Sequence, residues 1–333
     1  MKQRIWLFFL VLLSLSLISS TSYAKPFYEG KVIKLIVSTK PGGGYDYFGR
    51  MAARFMQKYL PGSTIIVKNV PGAGHIIGCN EVYHSKPNGL VFGTYSVALP
   101  LAQVAGVKGV KFDLSKMSWL GSASDSRQAL FVATNTPIRT LADIKKVKEL
   151  KVASGGVGSN NYVAAIIFEK MMGYNNFNIS TGYQGGEQQL AMLRGEVQAT
   201  IMTWGTYYSF VKEGHAVPLM FIADDQPEGY KNVPRLIDLA TDKYRPAAEL
   251  LTGILGVDRF FAGPPGIPPD RLEILRQAFK KAWADPELLK MARKANRPVH
   301  YTSGEEIDSL MKRILKQPPE IVSLLQTAYG MKK

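Results

Sequence analysis

Apolar positions along this chain alternate between two rhythms. Short runs rich in β-branched and apolar residues at 32–39, 63–69 and 90–95 read as buried strands. Between the first two, Phe48, Met51, Ala52, Phe55, Met56 and Tyr59 recur at helical spacing until Pro61, and Asp46 stands where an N-cap would stand. Pro41-Gly42-Gly43-Gly44 cannot continue a strand, so the unit is strand, glycine turn, helix. Val70-Pro71-Gly72-Ala73-Gly74 repeats the turn before a short predicted helix at 75–83. Strand and helix in alternation imply a largely parallel sheet, whose carboxyl-end loops are where ligands bind.

The plan then recurs. Residues 129–133 read as extended and 141–145 as a short helix. Residues 150–153 form a strand, 154–159 a glycine loop, and 160–172 a helix carrying Val163, Ile166, Ile167 and Met171. Tyr183-Gln184-Gly185-Gly186 precedes a helix at 187–194, with strands at 197–202 and 217–222. A strand at 253–261 returns to the first unit after crossovers near 120–128 and 245–252. Helices at 271–284, 286–295, 304–315 and 319–328 close the chain. Two α/β lobes facing across a cleft are expected, one from 25–124 and 250–333 and the other from 125–249.

The N-terminus changes the compartment. Lys2 and Arg4 precede an apolar run at 5–18 and a small-x-small site at Ser22-Tyr23-Ala24. The run is shorter than the roughly 20 residues of a membrane span. A signal peptide at 1–24, cleaved after Ala24, and a periplasmic location are expected. A single cysteine, Cys79, excludes an intrachain disulfide framework. The formal charge is +15, but the basic residues are scattered rather than striped with aromatics. Nucleic acid is therefore a weak reading, and solvated faces are the default explanation of these charges.

Enzyme motifs are lacking. Tyr47 and Asn161 stand where a dinucleotide loop needs glycine, and there is neither a Gly-Lys-Ser/Thr loop nor a Gly-x-Ser-x-Gly elbow. His75, His84, His215 and His300 lack metal-ligand spacing. No catalytic residue, metal or cofactor is assigned.

The ordered set IVSTKPGGGYDYFGRMAARFM, VKNVPGAGHIIG, Pro87-Asn88-Gly89, 154–159, Tyr183-Gln184-Gly185-Gly186 and Pro264-Pro265-Gly266-Ile267-Pro268 resembles the tripartite tricarboxylate transporter substrate-binding proteins, the TctC or Bug family. The resemblance implies a two-lobed periplasmic-binding-protein fold of the Venus flytrap, type II-like kind, each lobe a mostly parallel sheet flanked by helices. It implies a monomeric receptor that hands a small organic carboxylate to membrane carrier subunits; a sensing subunit serving a membrane kinase is the alternative. Carried over by position, the first-lobe contacts are Gly43, Gly44, Tyr45, Asp46, Ala73, Gly74 and Ser96. Those of the second lobe are Ser154, Gly158, Ser159, Asn160, Asn161, Tyr183, Gly186, Thr203 and Trp204. His75 replaces a usual glycine, and Tyr45 and Tyr47 are bulkier than many members carry. Which carboxylate is bound is left open.

Overall fold

The computed structural model describes residues 26–124, 127–183, 186–295, 297 and 299–331. The expected signal peptide lies outside them, as do Gln184 and Gly185 of the second tyrosine loop. Among the described residues no helix is long and apolar enough to cross a membrane.

The opening unit forms as read. Strand β1 (Val32–Val37) runs into helix α1 (Gly44–Met56), then β2 (Thr64–Asn69), α2 (Ile76–Tyr83) and β3 (Val91–Tyr95). Gly49 allows α1 to lie directly on β1, since a Cβ there would meet Val37 Cγ2 at 2.6 Å. Two elements of this half were not read from sequence. Helix α3 (Ala98–Ala105) is short and apolar almost throughout, so it shows little periodicity. Strand β4 (Ser118–Ser124) is buried along its length, and its serines disguise it as a loop.

The second unit comprises β5 (Gln128–Ala133), α4 (Leu141–Ile144), β6 (Leu150–Ala153), α5 (Asn160–Met171), β7 (Phe177–Ser180), α6 (Glu187–Leu193), β8 (Ala199–Thr203), α7 (Trp204–Lys212) and β9 (Ala216–Ile222). Helix α8 (Leu236–Leu239) and helix α9 (Arg245–Leu255) lead back to β10 (Asp258–Gly263). The strand expected at 253–261 therefore begins later. Leu250, Leu251, Ile254 and Leu255 are all buried on α9, and a short apolar run does not by itself distinguish helix from strand. Helices α10 (Pro269–Trp283) and α11 (Pro286–Lys294), strand β11 (Thr302–Ser303), and helices α12 (Gly304–Ile314) and α13 (Pro319–Ala328) complete the chain.

The strands form two sheets, ordered β11-β4-β10-β3-β1-β2 and β7-β6-β8-β5-β9. The fold is two-lobed, with helices flanking each sheet. Parallel pairing is confined to β2-β1-β3 in one sheet and β7-β6-β8 in the other. β10, β4, β5 and β9 pair antiparallel, so both sheets are mixed. The cause is connectivity: the strands that carry the chain between sheets enter against the direction of the βαβ units. One apolar cluster links the lobes, containing Tyr95 of β3, Leu130 of β5 and Ile201 of β8. Helix α13 packs on both α3 and α5, so the C-terminus straddles the two lobes.

Candidate functional site

The first glycine loop is held by a carboxylate. Helix α1 has Gly43 as its N-cap, so Asp46 lies inside the first turn rather than capping it. From there its side chain reaches back. It accepts hydrogen bonds from the Gly42 amide, Arg50 Nε and Asn69 Nδ2, each at 2.9 Å. Burial opposes ionisation of Asp46, but these donors outweigh it and hold the carboxyl below its usual range. Asn69 also donates to the Thr39 carbonyl at 3.0 Å, so Asp46 ties the loop after β1 to the end of β2.

The turn after β2 is strained. Ala73, Gly74 and His75 have φ of +45°, +59° and +78°. For a non-glycine residue a left-handed backbone costs about 1–2 kcal/mol. Among the described residues only Ala73, His75 and Arg259 carry that cost. Ala73 and His75 line the cleft between the lobes, and Arg259 lies over the ring of Tyr45 at 5.2 Å. Strain concentrated in this way is a mark of functional sites.

The cleft has a volume of about 540 Å³. The first lobe contributes Ala73, Gly74, His75, Ile76, Ser96, Ala98, Ala102, Val107 and Lys108; the second contributes residues 155–160. Tyr329, just beyond α13, completes it. Its hydroxyl donates to the Ala98 carbonyl at 3.4 Å, while its ring lies against Gly158. The starts of α2, α3 and α5 all line the cleft, bringing three positive dipole ends to one space. Ser159 Oγ donates to the Gly156 carbonyl at 2.7 Å and does not cap α5, leaving the first amides of that helix available. Lys108 is exposed and makes no ion pair among the described residues. No described acidic side chain lines the cleft.

His75 is the neutral polar group of this cleft. Burial pushes its imidazole down to about 4, its ring lies edge-on to Tyr45 at 4.6 Å, and Nδ1 is buried without a partner. The unfolded chain therefore binds a proton that the folded chain refuses. Stability associated with His75 is complete above pH 6.5 and declines as pH falls toward about 4. His75→Gly is expected to relieve the left-handed strain and raise stability by about 1 kcal/mol. It should also flatten the pH dependence over that window. Denaturant midpoints measured between those pH values check both; an unchanged slope would show that the imidazole is not buried in solution.

Six of the sixteen sequence-predicted contacts border the cleft: Ala73, Gly74, Ser96, Gly158, Ser159 and Asn160. Gly43, Gly44, Tyr45 and Asp46 do not line it, although the Tyr45 ring packs against that of His75, which does. Ser154 is fully buried at the end of β6, its amide donating to the Ser180 carbonyl. Asn161 is buried beneath the loop, its Oδ1 2.7 Å from Ser159 Oγ. Tyr183 borders a separate, shallower hollow beside α6, and Gly186 is the N-cap of that helix. Thr203 is the N-cap of α7, and Trp204 packs among Phe131, Phe221 and Tyr230. Sequence reasoning missed Lys108 and Tyr329. His75 alone carried a signal, as a bulky residue in a glycine position.

Comparison with known proteins matches residues 48–326 to the model of the tripartite tricarboxylate transporter family receptors, TctC. A curated relative from Bordetella pertussis, described as a UPF0065 protein, is 24% identical over 289 residues, covering 84% of each chain. A TctC solute-binding protein from Polaromonas, solved without ligand, superposes with a TM-score of 0.72 at 24% identity, over 90% of this chain and 99% of that one. MatC from Rhodopseudomonas palustris, solved with malate, gives 0.58 at 17% identity, over 90% and 97%. Another R. palustris protein, solved with adipate, gives 0.60 at 15%, over 90% and 97%. The chain belongs to the TctC family of tripartite tricarboxylate transporter receptors.

Proposed function

We propose that this TctC-family receptor binds a small organic carboxylate in the interlobe cleft and delivers it to the membrane subunits of a tripartite carrier. The observation that carries the reading is the electrostatics of the cleft. Three helix N-termini and Lys108 converge on a space that no described carboxylate lines. Such a space stabilises an anion through backbone amides and dipoles, without a dedicated arginine at its centre. Malate and adipate in two structures of the same fold support a carboxylate as the ligand class.

The lobes of the proposal are 25–124 with 250–333, and 125–249. Strands β5 to β9 all fall within the second, which supports that division. Ligand contacts are assigned to the glycine loops of both lobes, with Gly158, Ser159 and Asn160 facing Ala73, Gly74 and Ser96. Export to the periplasm follows in this reading from the basic, apolar and small-residue segments of 1–24. The receptor acts as a monomer and turns nothing over.

A thermal-shift panel of mono-, di- and tricarboxylates tests the proposal. A true ligand at 100 times its Kd is expected to add about 2.7 kcal/mol to stability. Stabilisation by sugars or cations, with none from any carboxylate, would overturn the ligand class.

A further inference from the structure

A second cavity, of about 520 Å³, lies between α9 and the turn that joins α12 to α13. It shares no lining residue with the cleft. Gly253 lets α9 lie close against α12, since a Cβ there would stand 3.2 Å from Leu310 Cδ1. The volume falls within the roughly 300–1,000 Å³ of small-molecule sites.

Charges of both signs border this space. Asp224 and Glu249 come from the second lobe of the proposed division, Arg313 and Lys316 from the first. Among the described residues none of these four side chains makes an ion pair or a hydrogen bond. Asp224 acts on Arg235 at longer range, but that guanidinium is already paired with Asp238. The carboxylates of one lobe therefore do not pair with the cations of the other across the cavity. A molecule carrying both signs can complete both.

Two buried oxygens on lining residues also lack partners. Thr252 is 4% exposed, and its Oγ1 is buried with nothing to bond. A threonine inside a helix can return its hydroxyl to the carbonyl one turn back, as Thr327 does to Ser323, but Thr252 does not. Gln317 Nε2 donates to the Ile314 carbonyl at 2.9 Å, which fixes the amide and leaves Oε1 buried without a donor. Buried polar atoms are normally satisfied, so two exceptions lining one cavity point to a missing donor. An ammonium group supplies one. Ile237, Leu250 and Ile314 give the same cavity an apolar wall for a hydrocarbon body.

We propose that this cavity is a second binding site, for a small zwitterion whose ammonium is held on the side of Asp224 and Glu249 and whose carboxylate is held on the side of Arg313 and Lys316. The site goes beyond the cleft reading and does not depend on it. Its occupant ties the two lobes together beside the segment through which the chain crosses back.

The probes are ω-amino acids from glycine to ε-aminocaproate, titrated calorimetrically into the full mature chain, with caproate and hexylammonium as single-charge controls. Saturable binding of at least one ω-amino acid is expected. Glu249→Gln and Arg313→Gln should each weaken it about threefold, and together about tenfold, the effect of exposed charges. Both residues are exposed, so the fold tolerates the changes. Thr252→Val removes a hydroxyl that has no protein partner. It should leave the free protein at least as stable as the parent while weakening the probe about threefold, a combination that a purely structural role would not produce. The controls should show no binding that the double variant loses. Absence of binding by every ω-amino acid overturns the proposal, and so does a double variant that binds them as the parent does. Carboxylates of the cleft should bind the double variant and the parent alike, so failure of the carboxylate panel is a separate result.

Discussion

Replacing Asp46 with alanine is expected to remove about 3 kcal/mol of stability and to weaken carboxylate binding at least tenfold. The carboxylate is buried and accepts three hydrogen bonds, two of them from groups that hold the loops after β1 and β2 together. Most of the effect comes from the Gly42 amide and Asn69. The Arg50 side chain is 53% exposed, so its ion pair is screened and contributes little. The consequence for binding is indirect. Asn69 immediately precedes the strained turn whose Ala73, Gly74 and His75 line the cleft. The variant should also behave differently in acid. The folded carboxyl titrates below its ordinary value of 3.8, so Asp46 stabilises fully above that pH and loses its contribution as pH falls through the folded value. Asp46→Ala should therefore narrow the gap to the parent protein as the solution is acidified below about pH 4. Urea midpoints at neutral pH and at pH 3, with titration of the best carboxylate, measure all three effects. Equal midpoints at neutral pH would show that the loop does not depend on this network.

Gly158→Val is the second large effect, and it acts on the opposite wall. Gly158 has φ of +79°, which a β-branched residue adopts at a cost of about 1–2 kcal/mol. A Cβ there would stand 2.5 Å from Tyr329 Cε1 and 2.8 Å from Cδ1. Tyr329 cannot simply withdraw, because its ring closes the gap between the second-lobe loop and α3. The expected total is about 3 kcal/mol of stability together with loss of measurable carboxylate binding. Combining Gly158→Val with Tyr329→Ala separates the two causes. Tyr329→Ala alone loses its own packing, so it should cost less in the Gly158→Val background than in the parent, by the part due to collision, and leave the part due to backbone conformation. If Tyr329→Ala costs the same in both backgrounds, the collision has no weight.

Much of the fold was legible because its signals are local. The strand, glycine turn and helix of 32–60 depend on β-branched runs, on glycine's freedom and on apolar spacing within a few residues. The same holds for β6 with α5, and for α13, whose limits were read to within a residue. Elements whose pattern is ambiguous over a short window were missed. Helix α3 is too apolar to show a face, β4 is serine-rich, and the start of β10 was confused with the buried end of α9.

The candidate site divides in the same way. The glycine loops and their order along the chain were sufficient to identify the family. Their roles within the site were not readable. Asp46 looked like a helix cap and is a brace between two loops, because its rotamer turns back toward Gly42. Trp204 looked available at a strand end and is packed among aromatic rings, because α7 begins there and carries it into the second-lobe core.

By itself the sequence determined that this protein presents bare helix N-termini at glycine turns, since that depends only on neighbouring residues. Tertiary structure alone decided what meets them. The antiparallel return of β10 places Arg259 beside Gly44, the turn after α11 adds Arg297, and α13 brings Tyr329 across to Gly158. Those meetings join segments far apart in the chain, so they follow from how whole sheets pack and leave no trace in any local pattern.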